Sequence, residues 1–281
     1  MHVWLIVVPY DSGQRAVRMG AGPLKLALAA DRLRARGTEV TVTTVEAPAG
    51  FRTEVGTTFA LHRSVAAEAG EAIANGAFPI VLSGNCSGSI GAFAAAGAGT
   101  GIAWFDGHGD FNTPETTVSG FLDGMALAVA TGRCFGTLAR SIPRFAPVAE
   151  RDAFLVGSRH LDPGERDALT KSDVGWVTVA SIRERGPAAA LEPALRRVRA
   201  RRLHLHVDLD VHDPALAPAN EFAPRDGLTR EEVQASVRAI AAARPICSAS
   251  FAAYDPAVDP SGKCLEAGLQ LIELVSGLGS G

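Results

Sequence analysis

The chain has 281 residues, 47% of them hydrophobic and 20% charged, with a formal net charge of −3 at pH 7. That is the make-up of a globular protein long enough for one large core or two small ones. It gives no basic footprint for nucleic acid or an anionic membrane, and no stretch reaches the roughly 18 apolar residues of a membrane span.

The four cysteines, Cys86, Cys134, Cys247 and Cys264, form no C-x-x-C pair. This argues against a zinc ribbon or a disulfide scaffold and fits a reducing compartment. The N-terminal MHVWLIVVPYDSG has an apolar run too short for a signal sequence and no basic segment before it. A cytoplasmic protein with a small-molecule partner is the expectation, and a homo-oligomer stays open.

In chain order, β-rich runs fall at Val3–Val8, Glu39–Thr44, Phe78–Leu82, Gly101–Phe105, Ala153–Val156, Trp176–Val179, Leu203–Val207 and Ile246–Phe251. Helical patterns separate them. One spans Pro23–Arg36, with proline at its first turn and Gly37 at its stop, and another spans Arg230–Ala243 behind the N-cap candidate Thr229. Such alternation predicts an α/β protein with a parallel sheet, because each helix covers a face that strands alone leave exposed. Pattern alone does not separate an open sheet from a closed barrel. With no mid-chain shift in composition, residues 1–275 read as one domain and 276–281, SGLGSG, as a loose tail.

Unusual polar residues cluster just past predicted strand ends, where α/β folds bind ligands: Cys86, then Asp106, His108 and Asp110, then Asp162, then Asp208 and Asp210. Asp106, His108 and Asp110 share one side if the extended backbone persists. In LHLHVDLDVHDP, apolar Leu203, Leu205, Val207 and Leu209 alternate with His204, His206, Asp208 and Asp210. A lone Asp pair is usually a cap or turn. Four carboxylates and a histidine in two clusters point instead to counter-ions, because burying them unpaired is costly. Mixed oxygen and imidazole donors suit Mn²⁺, and two ions can share bridging carboxylates.

The stretch WFDGHGDFNTPETTVSG resembles the D-x-H-x-D signature of the arginase/agmatinase (ureohydrolase) family, and HVDLDVHDP its D-x-D-x-x-D-P signature. SGNCSGSIG aligns with the family's usual G-G-D-H-S. The likeness covers nearly the whole chain. It implies a single-domain, doubly wound, eight-stranded parallel sheet with helices on both faces, and a dinuclear manganese centre that activates water against a guanidinium carbon. By that likeness Asp106 and Asp208 bridge two Mn²⁺ ions, His108 and Asp210 bind one, and Asp110 and Cys86 bind the other. Asn112, Thr117 and Ser119 would hold a substrate α-carboxylate, and Asp162 its α-amino group, with Glu165 following in register.

Three positions depart from the arginase pattern, all at the reacting end. Cys86 replaces a histidine ligand, Asp123 a proton-shuttling histidine, and Ala253 a glutamate that contacts the guanidinium. Decay of the enzyme would not spare the headgroup residues and five metal ligands. An N-hydroxylated guanidine is less basic and has less use for a carboxylate clamp, while soft sulfur at 86 would weaken one manganese site. The three departures together resemble the amidinohydrolases that cleave Nω-hydroxy-L-arginine to hydroxyurea and L-ornithine in D-cycloserine biosynthesis. Cys86, His108 and Asp123 are then the catalytic candidates, Asp123 either moving a proton or binding the N-hydroxyl. An ordinary arginase or other guanidino-acid hydrolase, and a catalytically silent binding protein on the same scaffold, are the alternatives. His204 and His206 read as core histidines or supports behind the ligands. His160 would reach the pocket rim, while His2, His62, His212 and the other three cysteines read as structural.

Overall fold

A computed structural model of the chain describes residues 1–48, 51 and 53–279. Eight strands make one sheet: β1 (His2–Val8), β2 (Glu39–Thr44), β3 (Phe78–Ser83), β4 (Thr100–Phe105), β5 (Ala153–Val156), β6 (Gly175–Val177), β7 (Arg202–Asp208) and β8 (Ile246–Ala252). Their order is β2-β1-β3-β8-β7-β4-β5-β6, and every pairing is parallel. The sheet is open, which decides what pattern left undecided. A short antiparallel hairpin, Tyr10–Asp11 with Gln14–Arg15, follows β1.

The helices are α1 (Gly22–Leu26), α2 (Ala29–Ala35), α3 (Glu54–Ala74), α4 (Ser89–Ala96), α5 (Ala126–Ala130), α6 (Gly136–Ala139), α7 (Pro163–Thr170), α8 (Val179–Arg185), α9 (Pro187–Arg197), α10 (Arg230–Ala243) and α11 (Lys263–Leu278). In β1 the two-residue period sends Val3, Leu5 and Val7 to a core shared with Leu26, Leu33 and Ile272, while Trp4, Ile6 and Val8 meet Val65 and Ala69 of α3. Both faces are therefore apolar and covered, as a parallel sheet requires. Burying a side chain such as Leu5 contributes about 1.5–3 kcal/mol.

All eight strands lie where the apolar runs place them. The sixth is shorter at its end, because Thr178 accepts a hydrogen bond from Ser181 N and starts α8 at Val179. The Pro23–Arg36 helix is two helices. Leu28 N donates to Lys25 O at 3.1 Å and Ala30 N to Ala27 O at 3.0 Å, so three-residue turns interrupt the helical ladder. The Arg230–Ala243 helix has its expected bounds, with Thr229 and Glu232 closing a capping box.

The expected loose tail from Ser276 is helical through Leu278. Val275 and Ser276 are buried, Ser276 Oγ donates to Ile272 O at 2.8 Å, and Gly279 pairs with Ile246. Packing against the sheet overrides the weak propensity of glycine and serine. Ser280 and Gly281 lie outside the described residues.

Candidate metal centre

β3, β4, β7 and β8 are neighbours at the middle of the sheet, and their carboxyl ends open into one cavity of about 590 Å³. Cys86, His108, Asp110, Asp208 and Asp210 line it, and so do Asn112, Thr117, Ser119, Asp162, Glu165 and Asp123. Asp106 lies fully buried beneath it. The site residues chosen from sequence thus converge on one place, although they are spread over more than 120 positions of the chain.

The D-x-H-x-D segment is not extended. β4 ends at Phe105, and Asp110 adopts a left-handed φ of 50°. The bend is held by neighbours: Gly107 N donates to Asp210 Oδ1 at 2.8 Å and His108 N to Asp106 Oδ1 at 2.6 Å. Gly107 allows this approach, since a Cβ there would lie 2.9 Å from Asp210 Oδ1. The strict alternation of the second motif likewise stops at Asp208. There a 3₁₀ turn, Leu209–Val211, begins, and Asp208 Oδ1 accepts from Asp210 N at 2.7 Å.

Two donor sets share Asp106. Asp106, His108 and Asp210 offer atoms within 4.8 Å of one another, and so do Cys86, Asp106 and His206. His108 Nδ1 stands 3.1 Å from Asp210 Oδ2 and 3.5 Å from Asp106 Oδ1. Cys86 Sγ donates to Asp208 Oδ2 at 2.9 Å.

Burial pushes Asp106, Asp110 and Asp208 up from the carboxylate range, and neighbouring aspartates add to the push. Burial also disfavours a charge on His108, but Asp210 and Asp106 outweigh it and hold its pKa up to about 12. The ring lies between two carboxylates, a place that favours positive charge. Among the described residues, Asp110 Oδ2 and His206 Nε2 are buried without a hydrogen-bond partner. Crowded anions that resist ionisation and two unpartnered donors fit divalent cations.

The cavity-lining side chains expected to hold a substrate headgroup also brace loops. Asn112 Nδ2 donates to Asp162 Oδ2 at 3.1 Å, where Val118 N also donates at 3.1 Å. Thr117 Oγ1 and Ser119 Oγ accept from Gly120 N and Phe121 N at 3.0 and 3.2 Å. Glu165 has both oxygens on backbone, with Phe111 N at 2.9 Å and Asp162 N at 3.2 Å.

Asp123 is likewise engaged. It accepts from Asn85 Nδ2 at 3.0 Å, Cys86 N at 3.1 Å and Ser87 N at 3.0 Å, so it caps the turn that carries Cys86. Ala253 lines the cavity at a left-handed φ of 61°, its carbonyl held by Asn220 Nδ2 at 2.8 Å.

Two contributors went unread in the sequence, and a third was read without its place. Asn85 ties the Cys86 turn to Asp11 and Ser12, and Arg159 binds the carbonyls of Asp210 and Pro224 at 2.9 and 2.6 Å. The third is His206, read as a core or supporting histidine, whose ring nitrogen lies within 4.8 Å of the Cys86 and Asp106 ligand atoms. His160 is exposed at the cavity with its ring centroid 5.7 Å from that of His108, and Cys134, Cys247 and Cys264 do not line it.

A doubly wound α/β sheet with a carboxylate-rich pocket and two candidate metal-ligand groups at its central strand ends fits a metallohydrolase scaffold. The chain belongs to the arginase family, whose pattern matches residues 1–276. It is similar to the arginase of Brucella melitensis biotype 1, 32% identical over 287 aligned positions covering 94% of this chain and 92% of that one. It is also similar to the arginase of Bacillus caldovelox, 31% identical over 218 positions covering 75% and 72%. The Bacillus cereus arginase structure superposes with a TM-score of 0.89 at 26% identity, covering 99% of each chain. The agmatine ureohydrolase of Thermoplasma volcanium shares the fold, with a TM-score of 0.71 at 19% identity over 99% and 89%. The chain is accordingly an amidinohydrolase, acting on the C–N bond of a guanidino or amidino group. Among the described residues, no helix is long and apolar enough to cross a membrane.

Proposed function

We propose that the protein hydrolyses Nω-hydroxy-L-arginine to hydroxyurea and L-ornithine with two Mn²⁺ ions. The observation that carries this reading is the lining of one cavity: headgroup residues Asn112 and Asp162 together with Cys86 and Ala253. The amino-acid end keeps its polar partners. The reacting end has no carboxylate at 253 to pair with a full guanidinium charge.

Asn112, Thr117 and Ser119 take the α-carboxylate and Asp162 the α-ammonium, which sets the reach of the side chain toward the carboxylate cluster. Asp106, His108, Asp110, Asp208, Asp210 and Cys86 would hold the metal. Bound there, the ions supply the Lewis acidity that makes a water nucleophile available near neutral pH. Water oxygen bonds to the hydroxyguanidine carbon, and the bond from that carbon to the ornithine nitrogen breaks. The released amine takes a proton. Asp123 holds the Cys86 turn in place, and one face of it lines the cavity beside the reacting group.

An ordinary arginase is the second reading, favoured by the names of the Brucella and Bacillus relatives. A side-by-side assay with L-arginine and Nω-hydroxy-L-arginine, with added Mn²⁺, separates the two. Hydroxyurea should form with the larger kcat/KM. Urea from arginine at equal or greater efficiency would establish the arginase instead.

A further inference from the structure

Met19 lines the cavity from a 3₁₀ turn, Arg18–Ala21, that follows the N-terminal hairpin. It is 3% exposed and belongs to one apolar cluster with Cys86, Ala252 and Ala253. Close backbone packing fixes the turn. A Cβ at Gly20 would lie 2.9 Å from Asp11 N, and one at Gly22 would overlap the Tyr254 carbonyl. Arg18 Nε donates to Asp11 Oδ2 at 2.9 Å, and Asp11 Oδ1 accepts from Asn85 Nδ2 at 3.3 Å. Asn85 Nδ2 also donates to Asp123, which caps the Cys86 turn. The turn under Met19 is thereby tied to the turn that carries Cys86.

Few partners at that end are open to a terminal guanidine. Asp110, Asp208 and Asp210 are metal ligands in the proposed function. Asp123 has its oxygens on Asn85 Nδ2, Cys86 N and Ser87 N. Glu165 is taken by Phe111 N and Asp162 N, and Asp162 serves the headgroup in the same proposal. The neutral groups are engaged as well. Asn220 Nδ2 donates to the Ala253 carbonyl and its Oδ1 accepts from Phe222 N, while Ser12 Oγ donates to Asp11. What the wall offers a terminal nitrogen is the Met19 thioether and the Ala253 methyl.

We infer that Met19, together with Ala253, selects the charge state of the substrate, so that the reacting end takes an uncharged guanidine and disfavours a guanidinium. Burying a cation there, with no acceptor for its N–H groups, costs far more than burying the neutral form. A hydroxyguanidine is less basic than a guanidine and gives up its proton to solvent on binding at smaller cost. Arginine keeps its proton and enters poorly. This makes Met19 a specificity-determining residue. The inference rests on the hydroxyarginine reading above and adds to it a residue and a charge state.

The test compares kcat/KM for Nω-hydroxy-L-arginine and L-arginine in the manganese-loaded full chain, as wild type, Met19→Leu and Met19→Gln. Leucine keeps the wall apolar at similar volume, and the ratio of the two substrates should stay within about twofold. Glutamine supplies an acceptor for a guanidinium, and the ratio should fall by about tenfold, mainly through a lower KM for arginine. A second measurement uses inhibitors of nearly equal length. Uncharged L-citrulline should inhibit the wild type with a Ki about tenfold below that of cationic Nω-methyl-L-arginine, and the gap should narrow in Met19→Gln. Should Met19→Gln not fold, the wild-type inhibitor pair decides. An unchanged substrate ratio in folded Met19→Gln, or a cation inhibiting the wild type as strongly as citrulline, would overturn the inference. The hydroxyarginine reading falls by a separate comparison, if the wild type turns over arginine with the larger kcat/KM.

Discussion

Cys86 Sγ donates its proton to Asp208 Oδ2 at 2.9 Å across the floor of the cavity. The thiol is 2% exposed, and burial together with the aspartates around it holds its pKa well above the ordinary value. An anion-rich pocket without a cation therefore keeps sulfur protonated, and only a bound cation makes the thiolate favourable.

The first prediction follows from that pair. Cys86→His restores an imidazole at this place and should make an N-hydroxyl a stronger competitor for the reacting position. The ratio of kcat/KM for hydroxyarginine over arginine should fall about tenfold, which is about 1.4 kcal/mol. Cys86→Ser keeps a donor to Asp208 and should change the ratio less. An unchanged ratio in both variants would take Cys86 out of specificity.

The headgroup prediction uses the Asn112–Asp162 contact of 3.1 Å. Asn112→Ala and Asp162→Ala should each raise KM for the α-amino acid, and lower kcat where misplacement of the guanidine carries through to attack. Agmatine, which lacks the carboxylate, should be a poor substrate for the wild type. Equal turnover of agmatine would show that these residues serve the loops alone.

Arg159 gives a prediction that links stability to the site. Its guanidinium satisfies a ring of backbone carbonyls, among them Gly157, Asp210, His212 and Pro224. Arg159→Ala leaves those acceptors unpaired and should cost on the order of 2–4 kcal/mol in urea unfolding. It should also weaken metal retention, because the Asp210 carbonyl it holds belongs to a proposed ligand. A stability loss without any change in metal retention would confine Arg159 to the scaffold.

The sheet was legible because central parallel strands are apolar runs whatever their neighbours, as in FPIVLS of β3 and TGIAWF of β4. The site was legible as far as residue type and chain order carry it. What they could not carry is geometry. Asp110 faces the cavity through a left-handed backbone that no period predicts, and His206 reaches Cys86 only because β3 and β7 both flank β8. Arg159 looked like any charged residue, since its partners are carbonyls that composition does not mark. The C-terminal helix was misread for the opposite reason: SGLG is a poor helix in isolation, and its docking against the sheet is invisible locally.

His62 supplies a pH prediction away from the metal ligands. It is 2% exposed, neither ring nitrogen has a hydrogen-bond partner, and burial followed by Arg63 lowers its pKa to about 3. The unfolded chain takes up a proton there below about pH 6.5, while the folded chain does not until near pH 3. Stability contributed by the neutral ring is therefore complete above pH 6.5 and drains away as pH falls toward 3, at up to about 1.4 kcal/mol per unit. His62→Leu should remove that slope. The variant's stability relative to wild type should improve by about 1–2 kcal/mol between pH 7.5 and pH 5, measured by urea unfolding at both. An unchanged difference would mean that the ring is solvated or paired in solution.

Asp123 separates positioning from proton transfer. Its two oxygens receive Asn85 Nδ2, Cys86 N and Ser87 N, the last two being the opening amides of the turn that leads into α4. A carboxylate at the start of such a turn satisfies donors that the helix itself leaves unpaired. Burial pushes its pKa up to about 7 against those three hydrogen bonds. Asp123→Asn is nearly isosteric but turns one acceptor into a donor facing N–H groups, so the Cys86 turn must shift. If positioning is its role, the variant should unfold at lower urea by about 1–3 kcal/mol and bind the Cys86-side ion more weakly. The pH profile of its residual kcat should keep the wild-type shape. If Asp123 instead transfers the proton to the leaving amine, metal content and stability should hold while kcat falls by about a hundredfold or more and one limb of the profile disappears. The three contacts onto the turn favour the first outcome. A metal-replete, stable Asp123→Asn variant with an altered kcat profile would overturn it.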